Sequence, residues 1–295
     1  MAFERTFPPV QPPLPPAPPA AARDRTPWGY ADMAMAIGAV IGGTILVGAP
    51  LATLAVLMAS GGDAGNDDIA TAVLLGASLL GEIFLLLAVA LFTVGKYKVP
   101  WAALGLRLPQ RGLAGALRPV LIATTPRLLR ETVQRAYRSL SDRVRGVIVA
   151  VDRGLFGLLL LAGALVVVWT YFALLAVLGV EPSGNIPEEA FDSVPLVVLV
   201  GVLSLGLAPF MEETFFRGFL FGGLRGRWGV FWSATGTGFL FALAHVDPLV
   251  FIPFTAVGML FAWGYVYSGS LLASMIAHLL FNALSFGLAV SGVAT

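Results

Sequence analysis

Residues 210–220, FMEETFFRGFL, put two adjacent carboxylates and a guanidinium inside a long apolar stretch. Glu213 and Arg217 are four apart, so on a helix they share a face and can pair, which relieves the cost of an arginine in the membrane. Glu212 points about 100° away from Glu213 and is free for a different task. The only two histidines in the chain follow, His245 in FALAHVDP and His278 in IAHLLFN. Phe241 and His245 are four apart, as are His278 and Asn282. A carboxylate beside a histidine in a low-dielectric pocket can activate water. A second histidine and an amide can donate hydrogen bonds to the oxyanion of a tetrahedral intermediate. Glu212, His245, His278 and Asn282 are thus equipment for hydrolysing an amide bond without a covalent nucleophile. Two histidines and a glutamate (Glu212, His245, His278) can also hold zinc with one position open. There is no HExxH motif, and these residue types leave the choice between zinc and direct Glu/His activation of water open. With no cysteine in the chain, disulfides and thiolate chemistry are excluded.

The elements that must position these groups are membrane helices. The 295 residues are 58% hydrophobic and 12% charged, too apolar for a soluble domain of this size. Several nearly charge-free runs reach the ~20 residues needed to cross the hydrocarbon core. The expected fold is all-α, a polytopic transmembrane helical bundle of about seven spans with a basic amphipathic cytoplasmic segment. The spans are read at Ala31–Ala59, Ile69–Val94, Gly154–Leu178, from Ser193 onward, from Gly229 to His245, Leu249–Tyr267 and Leu271–Ser291. Pro209 is the sole turn signal between Ser193 and Leu224, so the fourth is a long tilted helix or a span with an interfacial extension. Asp32 and Glu82 are the remaining ionisable groups in spans and default to functional candidates. The expected organisation is a disordered Pro-rich tail (1–28), two spans (29–95), a basic loop (96–153) and a transmembrane catalytic core (154–295). The tail, PPVQPPLPPAPPAAARDR, lacks the unbroken apolar core of a signal peptide.

Orientation follows from the loops. Residues 96–153 carry 12 of the 18 Lys and Arg, whereas GGDAGNDD (61–68) and EPSGNIPEEAFD (181–192) carry acids and no basic residue. Basic loops stay inside, so 96–153 and the N-terminus are expected in the cytoplasm, with the acidic loops outside. Sixteen Arg against two Lys fit a GC-rich bacterial chain in its cell membrane, the inner one. Within the basic loop, Leu129, Val133, Ala136, Leu140, Val144, Val147 and Val151 form a stripe every three or four residues across 127–153. Arg127, Arg130, Arg135, Arg138, Arg143 and Arg145 lie mostly off it. That pattern suits a helix on anionic lipid headgroups, or one packed on the protein's own cytoplasmic face. A single aromatic, Tyr137, stands among the arginines, too few for the stacking that nucleic-acid binding would require.

Helix rise offers a test of depth. Glu212 lies about 20 Å along a helix before Arg225, and His245 about 24 Å after Gly229, so a hairpin closing at 225–229 brings them level. His278 is eight residues after Ser270, and antiparallel bookkeeping leaves it roughly 15–20 Å off in height. Two other functions use the same buried polar set: a non-catalytic membrane scaffold, with Glu, Arg and His locking helices together, and a proton-coupled transporter using Glu212 or Glu82.

EETFFRG, FALAH and HLLFN, in that order, resemble the three motifs EExxxR, FxxxH and HxxxN of the CPBP intramembrane protease family, which includes the type II CAAX prenyl endopeptidases and the bacterial Abi proteins. WAALGLRLP (101–109) is similar to a tract that often precedes the core in that family, and the resemblance covers roughly residues 95–291. It implies a membrane endopeptidase acting on a peptide or membrane-protein substrate. Glu212 would be the base that activates water and His245 its partner on that water. His278 and Asn282 would stabilise the oxyanion, Glu213 and Arg217 would support the site, and Phe241 would pack. Zinc stays open, since the family is commonly named as metalloproteases. The basic insert at 113–153 and the proline tail are not part of the family pattern.

Overall fold

The computed structural model describes residues 26–60, 64–180, 188–191 and 193–292. The tail up to residue 25, residues 61–63 of the first acidic loop and residues 181–187 and 192 of the second lie outside the described residues. Among the described residues there is no strand. Six helices are long and apolar enough to cross a membrane. They are α1 (Tyr30–Met58), α2 (Ile69–Gly95), α5 (Asp142–Val177), α6 (Val194–Ala244), α7 (Phe251–Ser268) and α8 (Leu271–Val290). Between α2 and α5 come two shorter helices, α3 (Leu113–Thr124) and α4 (Arg127–Ser139). The expected seven spans correspond to these six because α6 makes two passes. Its 51 residues would run about 76 Å, more than twice the hydrocarbon thickness. The chain turns at Gly229, whose φ of 75° is open to glycine at little cost. The hairpin read at 225–229 is therefore present.

The first limb of α6 is not regular. Val202–Leu207 and Glu213–Phe221 are π-helical, with α-helical turns between and around them. The first π segment stands just before Pro209, which has no N–H to return to the preceding turn and whose ring crowds it. In a π turn the lost donor would have served Ser204, and the Asn282 side chain on α8 donates Nδ2–H to that carbonyl at 2.8 Å. The second π segment is buried throughout, from Glu213 to Phe221. Local π geometry widens a helix and recurs at functional sites.

Packing follows from small residues facing large ones. The second limb of α6 crosses α7 where Gly238 meets Gly258: a Cβ on Gly238 would lie 2.6 Å from the Thr255 carbonyl, and one on Gly258 would lie 2.6 Å from Gly238 Cα. Helices in lipid associate through such close approaches. One core gathers Met33, Phe215, Phe216, Phe219, Leu220 and Phe241; a second joins Phe156, Leu160 and Ala164 of α5 to Val257 and Phe261 of α7 and Ala273 of α8. Large side chains elsewhere on the spans, such as Leu46 and Val177, are exposed and face lipid.

Two boundaries differ from expectation, and one candidate residue finds a structural task. Trp28, assigned to the tail, is 1% exposed, sits in the first core and donates its indole N–H to Phe219 O at 3.0 Å; a single aromatic after a proline tract carries no periodic signal. The surface helix expected over 127–153 is two helices. α4 ends at Ser139, Leu140 and Ser141 are extended, and 142–153 form the first turns of α5. Ser141 is the N-cap, its hydroxyl accepting from Val144 N, and Asp142 sits in the first turn where the helix dipole favours an acid. Asp32, a default candidate, has a structural task. It caps α1, with Oδ2 accepting from Gly29 N at 2.9 Å and Tyr97 Oη at 2.8 Å, while Oδ1 pairs with Lys96 Nζ at 2.6 Å. That hydrogen bond holds the Lys96 ammonium above its ordinary pKa.

Candidate active site

The polar centre is built on the first limb of α6, α8 and α2. Glu213 and Arg217 pair as expected, with Arg217 Nη1 2.9 Å from Glu213 Oε1 and both side chains sealed from solvent. The contact is a charge contact rather than an aligned fork, since neither terminal guanidinium nitrogen makes a well-directed hydrogen bond. The guanidinium instead lies over aromatic faces, 4.3 Å from the Phe241 centroid and 5.5 Å from that of Phe261. Aromatic faces partly replace the lost hydration.

His278 joins this pair. Its Nδ1 is 3.2 Å from Glu213 Oε1 and its Nε2 is 3.9 Å from Glu212 Oε2. Glu213 accepts from Nδ1, which leaves Nε2 as the ring atom directed at Glu212. The height mismatch of 15–20 Å expected for His278 is absent. That bookkeeping placed the α7–α8 turn at the membrane edge, whereas Ser268, Ser270 and Leu271 are fully buried. The tract 101–110 covers the turn: Leu271 N donates to Gly105 O at 2.9 Å, Gln110 N to Ser268 O at 2.7 Å, Arg107 Nε to Gly269 O at 2.7 Å, and Ser270 Oγ to Arg107 O. Sinking the turn into the protein lowers the start of α8 and brings His278 level with the glutamates.

Glu212 closes the short helix Ala208–Glu212 and keeps 12% side-chain exposure, while Glu213 has none. The adjacent carboxylates therefore have different surroundings, as their angular separation suggests. Asn282 lies one turn beyond His278 and holds Ser204 O. His245 stands apart from the carboxylates. It ends α6, its Nδ1 bonds Phe241 O at 2.8 Å, and its ring meets Phe241 and Phe254 edge-on at 4.8 and 4.7 Å. With Nδ1–H given to a carbonyl, Nε2 is left to accept. Phe241 is the shared wall, its ring also 5.9 Å from that of His278. After His245 the chain passes through Val246 at φ 55°, a left-handed conformation uncommon for a β-branched residue and a mark of local strain.

Sequence reasoning missed one contact. Glu82 of α2 is a charge neighbour of Glu212, the helices that carry them packing together. A lone carboxylate in an otherwise apolar span was the available signal, but which helix it faces is a tertiary fact. For zinc, the fit test is geometric: among the described residues no group of three or more His, Asp or Glu side chains is gathered to hold a metal ion. His245 Nδ1 is turned to the Phe241 carbonyl, so no step is routed through a metal.

Comparison with known proteins agrees with the motif reading. Residues 194–284 match the family model described as Rce1-like, type II CAAX prenyl endopeptidase. "Putative membrane peptidase YdiL" of Bacillus subtilis (strain 168) is 26% identical over 106 residues, covering 36% of this chain and 43% of that protein. The match thus spans less than half of the relative's length. No solved structure matches the chain.

Proposed function

Taking residues 194–284 as an Rce1-like type II CAAX prenyl endopeptidase core, we propose that this multi-pass membrane protein cuts a peptide bond of a peptide or membrane-protein substrate at or within the bilayer, using water activated by Glu212. The observation that carries the reading is the buried cluster of Glu212, Glu213, Arg217 and His278. Glu212 takes a proton from water as its oxygen attacks the carbonyl carbon, and that proton passes to the leaving amine as the C–N bond breaks. His278, oriented by Glu213, presents Nε2 across the 3.9 Å to Glu212 Oε2, a separation that a reacting oxygen can bridge. Arg217 fixes Glu213 and so the imidazole. His245, its Nδ1–H held by Phe241 O, has Nε2 left to accept from the same water. Asn282 keeps one N–H on Ser204 O and has a second for the oxyanion.

The exposed basic arm supports a lipid partner. No residue of α4 is buried, and Leu128, Leu129 and Val133 lie bare beside Arg127, Arg130, Arg135 and Arg138. Leucine and valine enter the acyl boundary while the guanidiniums take anionic headgroup phosphates. Such a partner suits an orientation with α3, α4 and the N-terminus on the cytoplasmic side of a cell membrane.

The test is cleavage in lipid vesicles of two probes, a prenylated C-terminal peptide and an unprenylated transmembrane peptide, with new N-termini read by mass spectrometry. The expected result is cleavage of at least one probe by the native chain, none by a normally folded Glu212→Gln, and no loss on chelation. Equal cleavage by Glu212→Gln overturns the mechanism, and chelator-sensitive cleavage with stoichiometric zinc overturns its metal-free form.

A further inference from the structure

At the turn of α6, Trp228 stands just before Gly229 and Trp232 in the first turn after it. The Trp228 ring lies back along the second limb, where a Cβ on Gly236 would sit 3.6 Å from its Cζ3. Between the two exposed indoles, over Thr235 and Gly236, is a cavity of about 480 Å³, a size typical of ligand pockets. Its floor is apolar, because the Thr235 hydroxyl is spent on Phe231 O at 3.0 Å. The indole N–H donors suit the boundary between acyl chains and headgroups. That boundary is where the cavity lies. α1 begins and α2 ends at this end of the bundle, since Trp28 O accepts from Arg227 Nη2 at 3.1 Å and Lys96 pairs with Asp32.

A cation stands beside the cavity. The Arg227 guanidinium is 5.5 Å from the Tyr30 ring centroid, and that ring is 6.1 Å from the Trp228 ring. Arg227 donates to the Gly223 and Trp28 carbonyls, which fix it in place without neutralising it. A guanidinium has further N–H donors to give, and among the described residues no carboxylate pairs with this one. We infer that this end of α6 holds one anionic phospholipid, with an acyl chain between Trp228 and Trp232 and the phosphate on Arg227. An apolar cavity open to the bilayer takes a hydrocarbon chain, and an uncompensated guanidinium at headgroup level takes an anion. A zwitterionic lipid meets the second demand poorly, because its headgroup brings its own cation. The site uses no residue of α4 and none of the proposed catalytic groups.

The test is lipid binding to the full-length chain in neutral detergent, with Arg127, Arg130, Arg135 and Arg138 changed to Gln so that α4 does not contribute. Phosphatidylglycerol or phosphatidylcholine is titrated in and bound lipid is counted by native mass spectrometry. The chain should retain one phosphatidylglycerol, bound about tenfold more tightly than phosphatidylcholine. Gly236→Leu fills the cavity with a residue that helices favour, and Trp232→Ala removes one wall at an exposed position. Each should weaken phosphatidylglycerol binding about tenfold, the equivalent of losing contact with about two methylenes. Arg227→Gln should bind the two lipids equally. Equal binding of the two lipids before that substitution, or an affinity that neither Gly236→Leu nor Trp232→Ala changes, overturns the site. A preference that survives Arg227→Gln overturns the headgroup assignment. A dimer that Gly236→Leu dissociates also overturns the lipid site, making the cavity an interface between two copies of the chain.

Discussion

Arg217→Met, Glu213→Gln and the double variant form a cycle around the most deeply buried charges in the molecule. Both side chains are essentially unexposed and their charged atoms are 2.9 Å apart. At an effective dielectric of about 20, that separation corresponds to about 6 kcal/mol of gross attraction. Desolvation offsets much of it, so the pair adds little net stability while whole. Breaking it is different: either single change strands one buried partner and should cost about 3–5 kcal/mol. Arg217→Met also loses the contact with Phe241 at 4.3 Å, worth up to about 2 kcal/mol when desolvated. Glu213→Gln still offers an amide oxygen to His278. The double variant carries no stranded charge, so its loss should be well below the sum of the singles, with a coupling of about 3 kcal/mol. Reversible unfolding in mild detergent, followed by loss of helix signal, measures all four corners. Losses that add to within about 0.5 kcal/mol would mean the two groups do not share a buried field.

Gly238→Ala should lower the melting temperature, because its methyl meets the Thr255 carbonyl at 2.6 Å and overpacking of this kind costs about 1–3 kcal/mol; Gly76→Ala, with open space around it, should not, and equal effects would refute the close crossing of α6 and α7. Because the chain has no native cysteine, a polarity-sensitive dye on Leu129→Cys reports α4 alone; it should blue-shift in anionic nanodiscs and not in zwitterionic ones, and neutralising Arg127, Arg130, Arg135 and Arg138 to Gln should abolish the shift. A reporter inserted between α3 and α4 should read cytoplasmic, and external labelling there would reverse the orientation drawn from the basic loop.

The sequence carried much of this architecture because membrane spans announce themselves by length and apolarity. The hairpin at Gly229 and the Glu213–Arg217 pair were legible for local reasons, a glycine after a basic turn and a four-residue spacing. What was hidden is tertiary. The depth of His278 was misjudged because a serine–glycine turn reads as a surface loop, and only the docking of the 101–110 tract reveals that Ser270 is buried. Glu82 was visible as a costly group without a partner, since nothing local says that α2 faces Glu212. Asn282 reads from its motif as an oxyanion donor. Its hold on Ser204 O depends on a proline five residues further along another helix. The break at Leu140–Ser141 was legible in principle, for Ser-Asp before an apolar run is an N-terminal signal, but the continuing apolar stripe masked it.

The central claim is that Glu212 activates water for peptide-bond cleavage in a membrane site, and comparison of new protein N-termini in otherwise identical membranes tests it most directly. Cells carrying the native chain and cells carrying Glu212→Gln at equal abundance and thermal stability would be labelled at free amines and their membrane fractions compared. The account predicts a set of N-termini, at or near transmembrane or lipid-proximal segments, that is present with the native chain and missing with Glu212→Gln. The same N-termini in both, in matching amounts, would contradict it.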